Sequence, residues 1–307
     1  MALLLSWFAL AEIPWYLVEW MMQRVRGEDY SLIEPTTELD NAFLIQPVGE
    51  GVYKLHPLIR EFLRHQRQTV GRPAQHQQAF VDVLVRVARQ VPQAPTRDLI
   101  AAFALVRPHL EVVAEAMTDC LSDEDLPWAF VGLARFFEGQ GLYPLAEPWF
   151  QQCLSATQSR FGNEHPHVAT SLNNLAGLYD SQGRYGQAEP LYVQALALRR
   201  QLLGENHPSV ATSLNNLAFL YDSQGRYSEA EPLYVQALSI AEASLGVDRP
   251  NTTTLRQNLE ILRQRMQSDR ATPIHHRSPT LAQQIRSLLT HFLQRIRRLF
   301  QKSRSPR

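Results

Sequence analysis

Apolar residues recur at helical spacing in two stretches of nearly identical sequence, residues 170–196 and 212–238. The apolar set of the first stretch is Leu172, Leu175, Ala176, Tyr179, Ala188, Leu191, Tyr192, Ala195 and Leu196. Residues 181–183, Ser-Gln-Gly, break this spacing once, so each stretch is predicted to form two antiparallel helices. One helix pair cannot bury its own apolar face, and neighbouring copies are therefore predicted to stack into a solenoid.

A fixed period of 42 residues separates the two copies, because Gly183 and Gly225 stand at the same place in each. The segments between copies, residues 162–166 and 204–208, begin with glycine and end with His-Pro. Glycine there can end one helix in the left-handed conformation, and proline suits the first turn of the next helix. A weaker copy lies one period earlier, in residues 133–153.

One period after the second copy, charged residues occupy positions that were apolar. Arg256, Glu260 and Arg263 stand where Leu214, Ala218 and Tyr221 stood. This exchange predicts a polar capping helix, which is the expected end of a repeat array. The predicted array therefore covers residues 125–268.

The repeated residues Leu-Asn-Asn-Leu-Ala and Gly-Arg-Tyr resemble tetratricopeptide repeats of the kinesin light chain-like subclass. The resemblance implies a mainly α fold, a tetratricopeptide helical solenoid, whose concave groove is lined by one face of the first helix in each repeat and binds a peptide or protein. The groove residues that it implies are Thr170, Asn173, Asp180, Ser181, Thr212, Asn215, Asp222 and Ser223. By the same resemblance, Asn173 and Asn215 would bond the backbone of an extended peptide, since an amide offers both donor and acceptor. The alternative is a solubilising helix surface carried along by duplication.

Residues 1–70 are predicted to form a winged-helix-like module, followed by a helical connector over residues 71–124. The apolar residues 1–22 predict a buried helical pair, residues 40–46 and 52–55 predict two short strands, and a helix is predicted from His56. This order resembles the winged-helix segment that follows the nucleotide-binding core of NB-ARC or STAND ATPases.

In that family a histidine of a Met-His-Asp type motif senses bound ADP, and His56 is the matching position here. The resemblance is incomplete because Pro57 departs from the motif and the sequence contains no Gly-x-x-x-x-Gly-Lys-Ser/Thr loop; Lys54 and Lys302 are its only lysines. His56 is therefore expected to be a vestigial nucleotide-sensor position that now starts a helix.

The neutral net charge of the chain hides two unlike parts. Residues 270–307 hold nine of the 30 basic residues and no acid, so residues 1–269 carry 21 basic against 30 acidic residues. After a linker at 269–279, residues 280–302 predict a basic amphipathic helix. As a membrane or partner helix it is represented by Phe292 and Phe300 on its apolar stripe and by Arg286, Arg295 and Arg298 away from that stripe. This helix would lie on an anionic membrane surface, dock onto a partner helix, or cap the acidic array; nucleic acid is disfavoured, because the helix carries an apolar stripe rather than phosphate contacts.

No motif in the sequence indicates catalysis, a metal or a cofactor. Cys120 and Cys153 are the only cysteines, and both lie in helical patterns, which favours a reducing compartment. The sequence thus predicts a cytoplasmic, non-enzymatic interaction scaffold with a protein or peptide ligand, peripheral at a membrane if the tail binds lipid. The alternative is the sensor or regulatory half of a STAND-type signalling ATPase whose nucleotide-binding core is on another chain or lost.

Overall fold

The computed structural model describes residues 2–26, 45–66 and 73–271. The predicted basic helix at 280–302, with Arg286, Phe292, Arg295, Arg298 and Phe300, lies outside these residues, as does the predicted strand segment 40–44.

The N-terminal elements are α1 (Ala2–Leu5), β1 (Glu12–Pro14), α2 (Trp15–Arg26), β2 (Ile45–Gly49), β3 (Val52–Leu55) and α3 (Pro57–Gln66). The strands form an antiparallel sheet in the order β1-β3-β2. The prediction of a helical pair over residues 1–22 is wrong in part, because β1 separates the two helices. Glu12 pairs with Lys54 across the sheet, and their side chains form an ion pair of 3.0 Å.

The hairpin turn is shorter than predicted. Strand β2 continues through Pro47 to Gly49, so the turn consists of Glu50 and Gly51. Proline is tolerated there because β2 is an edge strand, where a missing N–H leaves no neighbouring strand unpaired. Gly51 has a φ of 63°, a conformation that favours glycine.

Two long helices, α4 (Pro73–Arg89) and α5 (Arg97–Ala116), and a 3₁₀ turn at Thr118–Cys120 connect this module to the repeats. His109 of α5 joins them to the N-terminal module. Its Nδ1 accepts a hydrogen bond from the Ala9 N–H (3.1 Å), and its Nε2 donates to the Glu12 carbonyl (2.9 Å). The first bond requires the neutral ring, because a protonated Nδ1 cannot accept, and burial lowers the pKa of His109 to about 4.

Seven helices follow in antiparallel order. They are α6 (Leu126–Glu138), α7 (Tyr143–Phe161), α8 (Pro166–Ser181), α9 (Tyr185–Leu203), α10 (Pro208–Ser223), α11 (Tyr227–Leu245) and α12 (Pro250–Ala271). Helices α6 to α11 form three pairs that stack on one another, and α12 packs on α11. The prediction of a mainly helical solenoid is confirmed. Gly183 and Gly225 turn the chain within two of the pairs with φ values of 70° and 72°, which a residue with a Cβ rarely adopts.

A glutamate at the start of each second helix ties consecutive pairs together. Glu189 of α9 accepts hydrogen bonds from the Tyr221 hydroxyl (3.0 Å) and from Arg226 (2.7 Å), whose guanidinium lies over the Tyr221 ring. Glu147 makes the same contacts to Tyr179 and Arg184 one period earlier. We call this arrangement the Glu–Tyr–Arg clamp. These contacts between repeats were not predicted from the sequence.

The capping helix α12 uses charge where the earlier repeats use tyrosine. Its apolar side, Leu255, Leu259 and Leu262, is buried. Arg263, one period after Tyr221, binds Glu231 at 2.8 Å, and Arg256 binds Glu242 at 2.7 Å. The cap therefore keeps the glutamate contact of the clamp while presenting charged residues outward.

The neutral His109 makes stability depend on pH in a specific window. Its pKa is 6.5 in the unfolded chain and about 4 in the folded one, so its contribution is complete above pH 6.5 and is lost as pH falls towards 4. We expect wild type to lose about 3 kcal/mol of unfolding free energy from this group across that window. The unfolding free energy, measured by urea denaturation at several pH values, should depend less steeply on pH in His109→Gln, which does not titrate. His65→Gln, at an exposed position, should keep the wild-type slope of unfolding free energy against pH. Equal slopes for wild type and His109→Gln would contradict this role.

The clamp predicts a specific weakness between repeats. Glu189→Gln removes the charge that Tyr221 and Arg226 both contact, so its melting temperature should fall below that of Glu115→Gln, which alters an exposed glutamate of α5. Tyr221→Phe combined with Glu189→Gln should cost less than the sum of the single changes, because both remove the same contact. Strict additivity would show that the tyrosine and the glutamate act independently.

Candidate ligand groove

Helix α4 of the connector packs on α6 of the first helix pair. Gly132 of α6 lies against Ala88 of α4 so closely that a Cβ on Gly132 would be 2.7 Å from the Ala88 Cβ. Gly132 and its buried neighbour Val131 occupy the repeat positions of Asn174 and Asn173. The connector therefore covers this part of α6, whereas Arg135 and Glu138 nearer its C-terminal end line a cavity.

A groove cavity of about 380 Å³ opens beyond the connector. It is lined by α6, α8 and α10 together with Gln93 of the connector and two residues of second helices, Phe150 and Tyr192. Five of the eight predicted groove residues line it: Asn173, Asp180, Ser181, Thr212 and Asn215. A second cavity of about 300 Å³ shares Thr212 and Asn215 and extends to Asn251 and Thr254 of α12. The two cavities are therefore neighbours on α10, where they share these two residues.

Asparagines form a hydrogen-bonded row along the groove. The Asn216 amide donates to the Asn173 oxygen (2.9 Å), Asn215 donates to Asn216 (3.2 Å), and Asn258 donates to Asn215 (3.0 Å). This asparagine row joins α8, α10 and α12. Among the described residues no acceptor is bonded to the amide group of Asn173, so two N–H donors remain at that end of the row.

Three predicted groove residues do not line the cavities. The Thr170 hydroxyl donates to the Pro166 carbonyl and accepts from Arg199, while Ser223 is exposed on α10. Asp222 is only 8% exposed and its Oδ2 accepts from Arg265 of the cap at 2.7 Å. The repeat symmetry that placed Asp180 and Asp222 together in the prediction is broken because the cap contributes an arginine that the repeats lack.

Carboxylates recur at one position of the groove wall. Glu138, Asp180 and Asp222 are separated by one period each, and we call them the carboxylate row. Burial raises the pKa of Asp180 to about 6. Burial also raises the pKa of Glu138, although the charge of Arg135 lowers it in part. Among the described residues no hydrogen-bond donor contacts either carboxylate, so both are partly desolvated without a bonded counter-ion.

Several residues that line this cavity were not predicted from the sequence, although three of them carried a usable signal. Glu138 stands one period before Asp180, and Asn216 follows Asn215 in the repeated Leu-Asn-Asn-Leu. Phe219, 50% exposed in the groove, replaces Gly177 of the previous copy, so a comparison of the copies would have flagged it. Gln93 lies in the connector, and no periodicity could have placed it there.

The histidines beside prolines act at helix starts. The Nδ1 atoms of His165 and His207 accept from the backbone N–H groups of His167 and Ser209. Exposed His56 does the same for Leu58 at the start of α3, at 3.2 Å. Its sensor ancestry stays a prediction. The described part of the chain contains no cluster of three or more candidate metal ligands and no helix long and apolar enough to cross a bilayer.

A family model described as tetratricopeptide repeat matches residues 125–201 and 182–243. These residues form tetratricopeptide repeats. The match covers α6 to α11, the three stacked helix pairs that build the groove, whereas α12 and the N-terminal module lie outside it. A comparison with curated proteins returned no match.

Three solved structures to which this chain is similar have TM-scores below 0.5. A kinesin light chain-like protein with nearly identical TPR-like repeats from Podosopora anserina is 24% identical, with a TM-score of 0.48 over 60% of this chain and 85% of that chain. BtubC (BKLC) from P. vanneervenii is 24% identical, with a TM-score of 0.45 over 72% and 91%. A STAND protein with a tetratricopeptide repeat sensor from Pyrococcus horikoshii is 14% identical, with a TM-score of 0.27 over 86% of this chain and 47% of that chain. The assignment of the repeats rests on the family match and on the helix pairs.

The unpaired carboxylate of Asp180 should reduce stability at neutral pH. A folded pKa of about 6 against 3.8 means that the folded state binds more protons, so stability falls as pH rises through this window. Asp180→Asn should therefore be more stable than wild type by about 1 kcal/mol at about pH 7.5, after allowance for solvent screening, and nearly equal at about pH 4. Asp248→Asn, at an exposed position, serves as the control. A less stable Asp180→Asn at about pH 7.5 would contradict the desolvation of this group.

Proposed function

We propose that the protein is a non-enzymatic scaffold that binds an extended peptide segment of a partner protein in the concave groove of its tetratricopeptide repeats. The observation that carries the proposal is the asparagine row. Its internal hydrogen bonds fix the amides in place, while the amide donors of Asn173 remain available to a peptide carbonyl. Ordered donors reduce the entropy that binding would otherwise cost.

The alternative of a solubilising surface is less compatible with these contacts. Asparagine is a mediocre helix former, and an exposed surface would gain more from glutamate or lysine. The exposed ring of Phe219 beside the row adds apolar contact area, which a purely solvated face does not require. A groove that combines ordered amides with an aromatic ring suits an extended peptide, whose backbone and side chains present both kinds of surface.

The same proposal includes a cytoplasmic location and the absence of nucleotide chemistry. The lack of a phosphate-binding loop in the sequence supports the second point. The regulatory half of a STAND-type ATPase remains the alternative interpretation of residues 1–70, and no contact of His56 beyond its helix start favours it. Membrane or partner-helix binding by residues 280–302 stays a prediction from the sequence.

The groove is tested by removing the two predicted peptide-binding amides. Asn173→Ala together with Asn215→Ala should weaken partner capture in a pull-down, because each lost hydrogen bond costs about 1 kcal/mol. Helicity in circular dichroism should be unchanged. The matched control, Gln152→Ala with Gln194→Ala, removes two exposed amides from second helices and should retain all partners. Full retention by the asparagine variant would refute the groove assignment.

A further inference from the structure

The carboxylate row shows within this chain what kind of group it binds. Asp222 is more than nine-tenths buried, and its Oδ2 is contacted by the guanidinium of Arg265 at 2.7 Å. Its Oδ1 is buried and has no hydrogen-bond partner among the described residues. A buried carboxylate with one oxygen on an arginine is a cation site that the capping helix has already filled.

The two earlier members of the row lack this arginine. Arg265 stands one period after Ser223 and two periods after Ser181. Ser223 therefore occupies, relative to Asp180, the repeat position that Arg265 occupies relative to Asp222. Ser181 occupies the same position relative to Glu138. Serine is too short and carries no charge, so Asp180 and Glu138 lack the cationic partner that Asp222 has in the cap.

The unfilled carboxylates open into the groove and not into the protein interior. Glu138, Asp180 and Ser181 all line the 380 Å³ cavity. The one cation among the residues that line this cavity is Arg135, and its Nη1 donates to the Val91 carbonyl at 3.2 Å instead of bonding to Glu138. The lining side chains therefore carry two acids and one base, which favours a positively charged occupant.

We infer that the groove selects a basic segment of a partner protein, with arginine or lysine side chains bound at Asp180 and Glu138 as Arg265 is bound at Asp222. This inference rests on the proposed function, because the asparagine row would hold the backbone of the same segment. Arginine fits best, since its planar guanidinium can reach both oxygens of a carboxylate. A partly desolvated carboxylate gains more from such a contact than one in free solution.

The test uses the full-length protein and three short fluorescein-labelled peptides. Each peptide consists of Ser-Ala pairs separated by one test residue, which is arginine, its neutral isostere citrulline, or glutamate. Fluorescence polarisation at low salt should give the arginine peptide a Kd about tenfold lower than the citrulline peptide, and no binding of the glutamate peptide. Glu138→Gln with Asp180→Asn should bring the arginine Kd to the citrulline value. Glu115→Gln with Asp248→Asn removes two exposed acids elsewhere and should preserve the preference.

A second pair of variants tests the internal precedent. Ser181→Arg with Ser223→Arg gives both open carboxylates the arginine of the cap, and it should abolish binding of the arginine peptide. Ser155→Arg with Ser159→Arg adds the same charge to exposed positions of α7 and should leave binding intact. Equal losses in both variants would mean that general repulsion, and not occupation of the row, blocks the peptide.

The remaining outcomes separate this inference from the proposed function. Equal affinity for arginine and citrulline peptides, abolished by the Asn173 and Asn215 changes, would overturn charge selection and leave the groove in place. Arginine-specific binding that depends on Glu138 and Asp180 but ignores both asparagines would support the inference and refute the backbone contacts. If the arginine peptide binds only to a variant that ends at residue 271, the carboxylate row binds the chain's own basic tail. That result would overturn the inference that it binds a segment of a partner protein. No binding of the arginine peptide to wild type also overturns the inference.

Discussion

The structure depends on one constraint: a pair of short helices leaves an apolar face that only another pair can cover. The Glu–Tyr–Arg clamp decides how that cover is made, because one carboxylate accepts from a tyrosine and an arginine of the next pair. Interdigitated apolar side chains and the clamp together hold neighbouring pairs in one register, which aligns the positions that recur at the period. The asparagine row and the carboxylate row exist because this register holds.

Repetition explains why so much of the array follows from the sequence. Leu175, Tyr179 and Tyr192 were predicted to fill the core, and all three are buried. The ends of the helices could be predicted from glycine and their starts from His-Pro, because both signals act through local backbone geometry. The N-terminal module was less predictable, since β1 has three residues and is defined by pairing with β3 about forty residues later in the chain. A pattern of apolar residues there cannot distinguish a short buried strand from a helix.

The groove was predictable in position but not in detail. The face that carries Asn173 and Asp180 follows from helical periodicity, yet the fate of Asp222 depends on Arg265 of a different helix. Cover of the first pair by α4 is also a tertiary event, which the sequence signals only through Gly132 at a position of asparagine. Each error concerned a contact between elements, because periodicity gives the direction in which a side chain points and not what it meets.

Departures from the repeat therefore carry more information about binding than the repeat itself. Tyr179 and Tyr221 stay identical and contact a glutamate of the preceding pair, so this identity is explained by stacking. Where copies differ, the difference closes or opens the groove: Gly132 admits the connector at one end, and Arg265 fills the last carboxylate at the other. Between these two closures the chain keeps carboxylates that burial disfavours. A basic segment of the proposed kind would pair with these carboxylates and would offset the cost of their burial.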